Sequence, residues 1–252
     1  MRILLELSYI GTDFAGWQVQ PGRITVQSAL QDALEAVYGE RYPVKGCSRT
    51  DAGVHALRYY AAYDTEKLIP PDKIPLALNS RLDARIAVLS ARSVPDDFHV
   101  RHDVAWKEYE YLLRPSRIPD PFMLGRCCRP PKPIDAAMLS RMREACPAFV
   151  GNHDFRGFMS AGTSVADTVR TVKWLEIIED GELLRIRIAA DGFLYNMVRI
   201  IVGTLLDTAY GRIEPSAMPE IIASCDRSRA GFTAPPEGLY LRQVEFTKKI
   251  TG

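Results

Sequence analysis

The stretch "VRTVKWLEIIEDGELLRIRIAA", residues 169–190, constrains the fold more than any other part of the chain. Two runs rich in Val, Ile and Leu flank Glu179-Asp180-Gly181, and Asp-Gly between such runs is the turn chemistry of an antiparallel hairpin. The next segment, "GFLYNMVRIIVGTLLDTAYG", reads as a helix too apolar to lie in water, so it is expected to pack on a sheet.

The rest of the chain fills in around that core. Arg2 to Tyr9 has the composition and length of a strand. In "TVQSALQDALEAVYG", Leu30, Ala33, Leu34 and Val37 recur at helical spacing, with Thr25 as the cap and Gly39 as the stop. A short strand near Pro43 to Cys47, an aromatic strand "RYYAAYDT", a helix near Asp72 to Asn79 and a strand near Arg85 to Ser93 complete the first half. The second half opens on the β-prone "AWKEYEYLLR" and passes through a loop, "RCCRPPKP". It continues with a helix from Asp135 to Phe149, the hairpin, the apolar helix and a short helix near Pro215 to Cys225. It ends on a strand, "GLYLRQVEF". Both halves read strand, helix, strand, strand, helix, strand, the split β-α-β order of ferredoxin-like and RNA-recognition folds. The expected class is α+β with two domains, 1–103 and 104–252, meeting near Asp103.

Composition narrows the function. Lys and Arg number 32 against 31 acids, so any nucleic-acid surface must come from local segregation of charge. The five cysteines include no C-x-x-C pair, which points to reduced thiols and a cytoplasmic protein. The opening "MRILLELSYIGTDF" reads as a strand and not a signal peptide, and "MVRIIVGTLL" is too short to span a bilayer, so no membrane association is expected.

Several residues carry chemistry. "GCSRTDAGVHA" places Asp51 between Arg49 and His55. Asp-Ala-Gly is good turn chemistry by itself. A carboxylate beside a cation is also held ionised at neutral pH, which suits a nucleophile and equally an inert salt bridge. His55 reads as structural, having no base or metal partner fixed by sequence. His99 and His102, near Asp96, Asp97 and Asp103, form a conceivable metal pair without a readable third ligand. Tyr109 and Tyr111, two apart on a strand, face one side as a core pair or a base-stacking platform. Arg199 interrupts an apolar helix and must reach water or an acid. Arg126, Arg129 and Lys132 on one loop, with Arg141 and Arg143 on the next helix, make a modest basic patch.

Taken together these stretches resemble the tRNA pseudouridine synthase A family. "SRTDAGVHA" is similar to its active-site signature and "YIGTDFAGWQ" to its amino-terminal motif. "VPDDFHVRHDVAWKEYEYLL", "GFLYNMVRIIVG" and "APPEGLYL" resemble its central, buried-helix and carboxy-terminal motifs, in the family's order. Ile10 departs from a frequent family Asp, and Ser48 holds a place taken by Gly or Ser.

The resemblance implies two ferredoxin-like domains with sheets joined across a cleft, and a homodimer acting on tRNA. It implies isomerisation of uridine to pseudouridine at positions 38, 39 and 40 of the anticodon stem-loop, without metal or organic cofactor. By the same resemblance Asp51 is the nucleophile, Tyr109 the base-stacking residue and Arg199 the partner of Asp51. Leu239 lines the base pocket, and Arg49 contacts RNA beside the nucleophile. Two alternatives stay open at this point: a non-catalytic RNA-binding protein on the same scaffold, and a metal-dependent hydrolase using His99 and His102.

Overall fold

The computed structural model describes residues 1–162 and 165–248. It is mixed α+β, with strands that pair mostly antiparallel and few helices. Two compact units divide the chain: Met1–Lys107 together with the segment that starts at Tyr240, and Glu108–Leu239.

In the first unit, β1 (Arg2–Tyr9) pairs antiparallel with β3 (His55–Asp64) on one side and β4 (Ile86–Val94) on the other. The two-residue β2 (Lys45–Gly46) also pairs with β3. The chain's closing strand, β9 (Leu239–Phe246), joins β3 in parallel through His55↔Tyr240 and Ala56↔Leu241. Strand periodicity then sorts the side chains. The register puts Ile3, Leu5 and Leu7 across from Tyr63, Ala61 and Tyr59, and all six are buried. The opposite face carries Glu6, with Arg58 at 3.5 Å and Arg92 at 3.8 Å.

Helix α1 (Val26–Tyr38) covers the apolar face, where the Tyr38 hydroxyl meets that of Tyr63 at 2.8 Å. Its ends are those the sequence chemistry expects. Thr25 Oγ1 accepts from the Ser28 N–H at 3.1 Å while Ser28 Oγ accepts from the Thr25 N–H at 3.0 Å. Gly39 closes the helix at φ +76°. Thr25→Ala is therefore expected to lower stability by about 1 kcal/mol, read as a shifted urea midpoint at unchanged slope. The short α2 (Ile74–Asn79) begins two residues after the expected Asp72.

The second unit sets β5 (Val104–Leu113, from Glu108 on) beside a hairpin of β7 (Val169–Asp180) and β8 (Leu183–Ala190). A short β6 (Gly151–Asp154) lies at the far edge, giving the order β5-β8-β7-β6. The expected hairpin is present, in register from Asp180↔Leu183 to Val172↔Ala190 with a bulge between Val172 and Trp174. Ile177, Ile186, Leu175 and Ile188 share its buried face. On the other face Arg185 and Arg187 hold the buried Glu110 carboxylate at 2.9 and 2.7 Å.

Helices α3 (Ala136–Ala145), α4 (Met197–Ala209) and α5 (Met218–Ser224) complete this unit. Every residue of α4 except Arg199 is buried, as its composition requires.

Three details differ from the sequence reading. The helix starting at Asp135 gives way to a 3-10 turn over Cys146–Phe149, because Pro147 has no N–H to continue it. Helix α4 starts at Met197, since Asn196 sits at φ +61°, outside helical geometry. Strand β6, "GNHD", lacks β-prone residues and forms through its pairing with β7, so this half holds one strand more than the expected pattern.

Candidate active site

Asp51 lies at the start of a tight turn just before β3. Its backbone carbonyl accepts from the Val54 N–H at 3.1 Å, and Gly53 takes φ +79°, as the third position of a type II turn demands. The preceding residue, Thr50, is buried, and its hydroxyl bonds the Tyr9 hydroxyl at 2.7 Å. The Trp17 N–H donates to the Thr50 carbonyl at 3.0 Å. Ser48 is fixed by the Tyr59 hydroxyl, which donates to its carbonyl. Tyr59 in turn stacks on buried Trp17, ring centres 4.2 Å apart. Local turn chemistry alone would leave such a loop mobile. Here a buried aromatic cluster anchors its backbone, while Asp51 itself is half-buried and Arg49 exposed.

The amino-terminal "YIGTDFAGWQ" packs directly against this turn. A Cβ on Gly16 would lie 2.7 Å from the Thr50 carbonyl oxygen, and one on Gly11 2.0 Å from that of Val54. The Gly53 N–H reaches the Phe14 carbonyl at 3.4 Å. These close approaches explain the glycines at positions 11 and 16 of the amino-terminal motif. Sequence reasoning singled out both stretches and missed the contact between them.

His55 is fully buried, and its Nδ1 accepts from the Gly11 N–H at 2.9 Å, so the neutral ring carries its proton on Nε2. The ring stacks on Tyr240 at 4.5 Å. That is a structural role, as the sequence suggests. His99 Nδ1 accepts from the N–H groups of Arg101 and His102 at 3.2 and 3.1 Å, and burial followed by the neighbouring His102 pushes its pKa down. Among the described residues no group of three His, Cys, Asp or Glu side chains is placed to hold a metal ion.

The remaining expected site residues belong to the second unit. Tyr109 on β5 is buried and meets the Phe193 ring edge-on at 5.0 Å. Its neighbour Tyr111 is core: fully buried, donating to the Pro235 carbonyl at 2.7 Å, its pKa pushed up by burial. The two tyrosines thus do not form an exposed stacking pair.

Arg199 projects from the first turn of α4. Its Nε donates to the Ala234 carbonyl at 2.7 Å and its Nη1 to Asn196 Oδ1 at 2.7 Å, and the Ala234 N–H returns a bond to the Arg199 carbonyl at 3.0 Å. Both of these oxygens, of Ala234 and Asn196, are neutral, and they orient the guanidinium. Leu239 is buried at the end of the same segment, where Gly238 packs so closely on Tyr111 that a Cβ would lie 2.6 Å from its ring. Asn196, at φ +61° and bonded to Arg199, is a residue of this candidate site that the sequence reading missed. Its signal was an Asn at a helix start, the residue type most tolerant of that conformation.

Burial also tunes three thiols. Cys47 and Cys128 are pushed up to about 11 and Cys146 to about 12, each mainly by desolvation. A raised pKa in the folded chain means the folded state keeps protons that the unfolded state gives up. Stability from these groups is full below the ordinary thiol range and declines as pH rises from there toward 11. Urea midpoints are expected to fall from pH 9 to 11, and Cys47 should resist thiol reagents at pH 8 until the chain unfolds.

These geometries belong to a mixed α+β protein with an anchored acidic loop in one unit and an oriented arginine in the other. The sequence profile described as tRNA pseudouridine synthase matches residues 7–103 and 145–247. The tRNA pseudouridine synthase A of a Thermoanaerobacter species is 41% identical over 243 residues, 96% of this chain and 98% of its own length. The proteins of that name from Brevibacillus brevis and Bacillus licheniformis are 42% and 43% identical, each over 97% of this chain and 99% and 98% of their own length. The chain belongs to the tRNA pseudouridine synthase family.

Proposed function

We propose that this protein isomerises uridine to pseudouridine in the anticodon stem-loop of tRNA, at positions 38, 39 and 40, with Asp51 as the nucleophile. The observation that carries the reading is the anchoring of Asp51. A carboxylate whose backbone is pinned by Tyr9–Thr50, Trp17 and the Gly16 approach is pre-positioned, which a reacting group needs and a plain turn does not.

The reaction breaks the N1–C1′ bond of uridine and forms a C5–C1′ bond. The C5 proton is lost to solvent and N1 gains one, so atoms and electrons balance with no oxidant, metal or cofactor. Asp51 serves by attacking C1′, attacking C6 or assisting loss of the 2′ proton, and each route requires its ionised form. Arg199 supplies the positive charge that keeps Asp51 ionised, its guanidinium already oriented by Asn196 and Ala234.

The target uracil must leave its stack to react. Tyr109 stacks on the extruded base, its ring steadied by Phe193, and relays the C5 proton. Leu239 covers the base and excludes water, which would otherwise capture the severed sugar. Arg49, exposed beside the nucleophile, contacts RNA phosphate. In this reading the chain comprises two ferredoxin-like domains, 1–103 and 104–252, the working enzyme is a homodimer and it acts in the cytoplasm. Among the described residues no helix is long and apolar enough to cross a membrane.

The test is a nucleoside analysis of unmodified tRNA transcript after incubation with the purified protein and a chelator. Pseudouridine should rise by as much as uridine falls. Transcript that is bound but returned unchanged would favour the non-catalytic RNA-binding alternative.

A further inference from the structure

The loop from Arg114 to Pro133 joins β5 to α3 and lies in the gap between the two stretches that the family profile matches. In a chain of net charge +1 it carries five basic residues (Arg114, Arg117, Arg126, Arg129, Lys132) and one acid, Asp120. The structure sorts these cations. Arg114 is neutralised by Glu182, with Nε at 3.1 Å from the carboxylate. Arg141 and Arg143 on α3, which sequence alone groups with this patch, are paired with Glu214 at 3.2 Å and Glu179 at 2.9 Å.

Arg117, Arg129 and Lys132 are different. With Ser116 and three prolines they line a cleft of about 290 Å³ that has no carboxylate in its wall. Among the described residues none of the three makes an ion pair. Three like charges around one cleft repel each other unless an anion enters.

The walls are fixed in advance. Arg129 Nη1 donates to the Arg117 carbonyl at 3.0 Å. The Tyr210 hydroxyl donates to the Lys132 carbonyl at 3.0 Å, and the Cys128 carbonyl accepts from the Arg114 N–H at 2.9 Å. Prolines 130, 131 and 133 remove most of the backbone freedom that binding would otherwise cost. Beyond the cleft, the same loop leaves Ile118, Phe122 and Leu124 exposed to 74%, 87% and 84%. Asp120 is spent on the turn that presents them, its Oδ1 accepting from the Phe122 N–H at 2.9 Å. Cations without an ion pair and an exposed aromatic ring on one loop are what a nucleic-acid strand satisfies, phosphate on the cations and base or ribose on the ring.

We propose that this loop is a second contact for the substrate RNA, with a backbone phosphate seated among Arg117, Arg129 and Lys132 and an adjoining nucleoside resting on Phe122 and Leu124. The inference rests on the tRNA reading above. It adds a contact made by residues other than those that handle the reacting base, one that governs capture of the RNA and not the chemical step.

Two variants test it: Arg117→Gln/Arg129→Gln/Lys132→Gln, and Phe122→Ser/Leu124→Ser. Both changes are on exposed side chains, and a wild-type unfolding midpoint confirms that the fold is kept. For whole tRNA, KM should rise about tenfold in the triple variant and severalfold in the double one, with kcat at saturating RNA within about twofold. The slope of log affinity against log salt, from filter binding, should become shallower by about one to two in the triple variant.

Unchanged KM and salt slope would overturn the proposal, as would a fall in kcat at constant KM. Retention of wild-type protein, but not of the double variant, on phosphatidylglycerol vesicles in the presence of tRNA would also overturn it, by assigning the loop to a lipid surface. Filter binding reads the loop even if wild type forms no pseudouridine, so failure of the catalytic reading and failure of this one stay distinct.

Discussion

Asp51→Ala and Asp51→Asn should each lower the single-turnover rate of pseudouridine formation by on the order of a thousandfold or more. The variants should still bind tRNA within a few-fold of wild type, because the carboxylate opposes phosphate binding and contributes nothing to it. The turn itself should survive. Its hydrogen bond uses the Asp51 backbone carbonyl, its φ > 0 position is Gly53, and its anchor is the Tyr9–Thr50 bond. Asn keeps the shape and loses the charge, so equal loss in both variants assigns the function to the ionised carboxylate. If the Asn variant kept near-normal turnover, the charge at Asp51 would be irrelevant to the chemistry.

Gly11→Ala has the next largest expected effect, and through a different cause. Its Cβ would sit 2.0 Å from the Val54 carbonyl oxygen and 2.6 Å from the carbonyl carbon, both backbone atoms that no rotamer change can move. Overpacking costs about 1–3 kcal/mol, and disturbing the bond from the Gly11 N–H to buried His55 adds about 1–3 kcal/mol. For a chain of this size a loss of about 4 kcal/mol lowers Tm by roughly 8–16 °C. The displaced Val54 closes the Asp51 turn, so the folded variant should also lose about a hundredfold in rate, the typical cost of a misplacement near 1 Å. Gly22→Ala is the control. Unlike Gly11 it sits at positive φ, +69°, and it meets nothing within 4 Å, so only the left-handed penalty of about 1–2 kcal/mol applies. Scanning calorimetry of both variants checks the difference.

Features of the fold that depend on neighbours in sequence were legible in the sequence. The caps of α1 and the β7–β8 turn are local chemistry, and α4 announced its burial by composition. Features set by distant partners were not. Nothing near Leu239 shows that the last strand will run parallel to β3, nearly two hundred residues earlier. The basic patch looked uniform because Glu214 and Glu179, which neutralise two of its five cations, lie far along the chain. Tyr111 looked equivalent to Tyr109 until Pro235 and Gly238 closed over it.

The candidate site divides in the same way. Asp51 stood out by its turn and its charged neighbours, and its catalytic meaning came from resemblance across the whole chain. The parts that make the loop rigid (Gly11, Gly16, Thr50) are ordinary residues whose roles exist only in three dimensions.

The central claim is that this chain rearranges uridine within the anticodon arm. The most direct test is tritium release from transcripts labelled at uridine C5, each retaining uridine at only one of positions 38, 39 and 40. Wild-type protein should release one tritium per retained uridine, and the transcript lacking all three should release none. Release from the transcript lacking all three uridines, or no release from any transcript that the protein binds, would contradict the account.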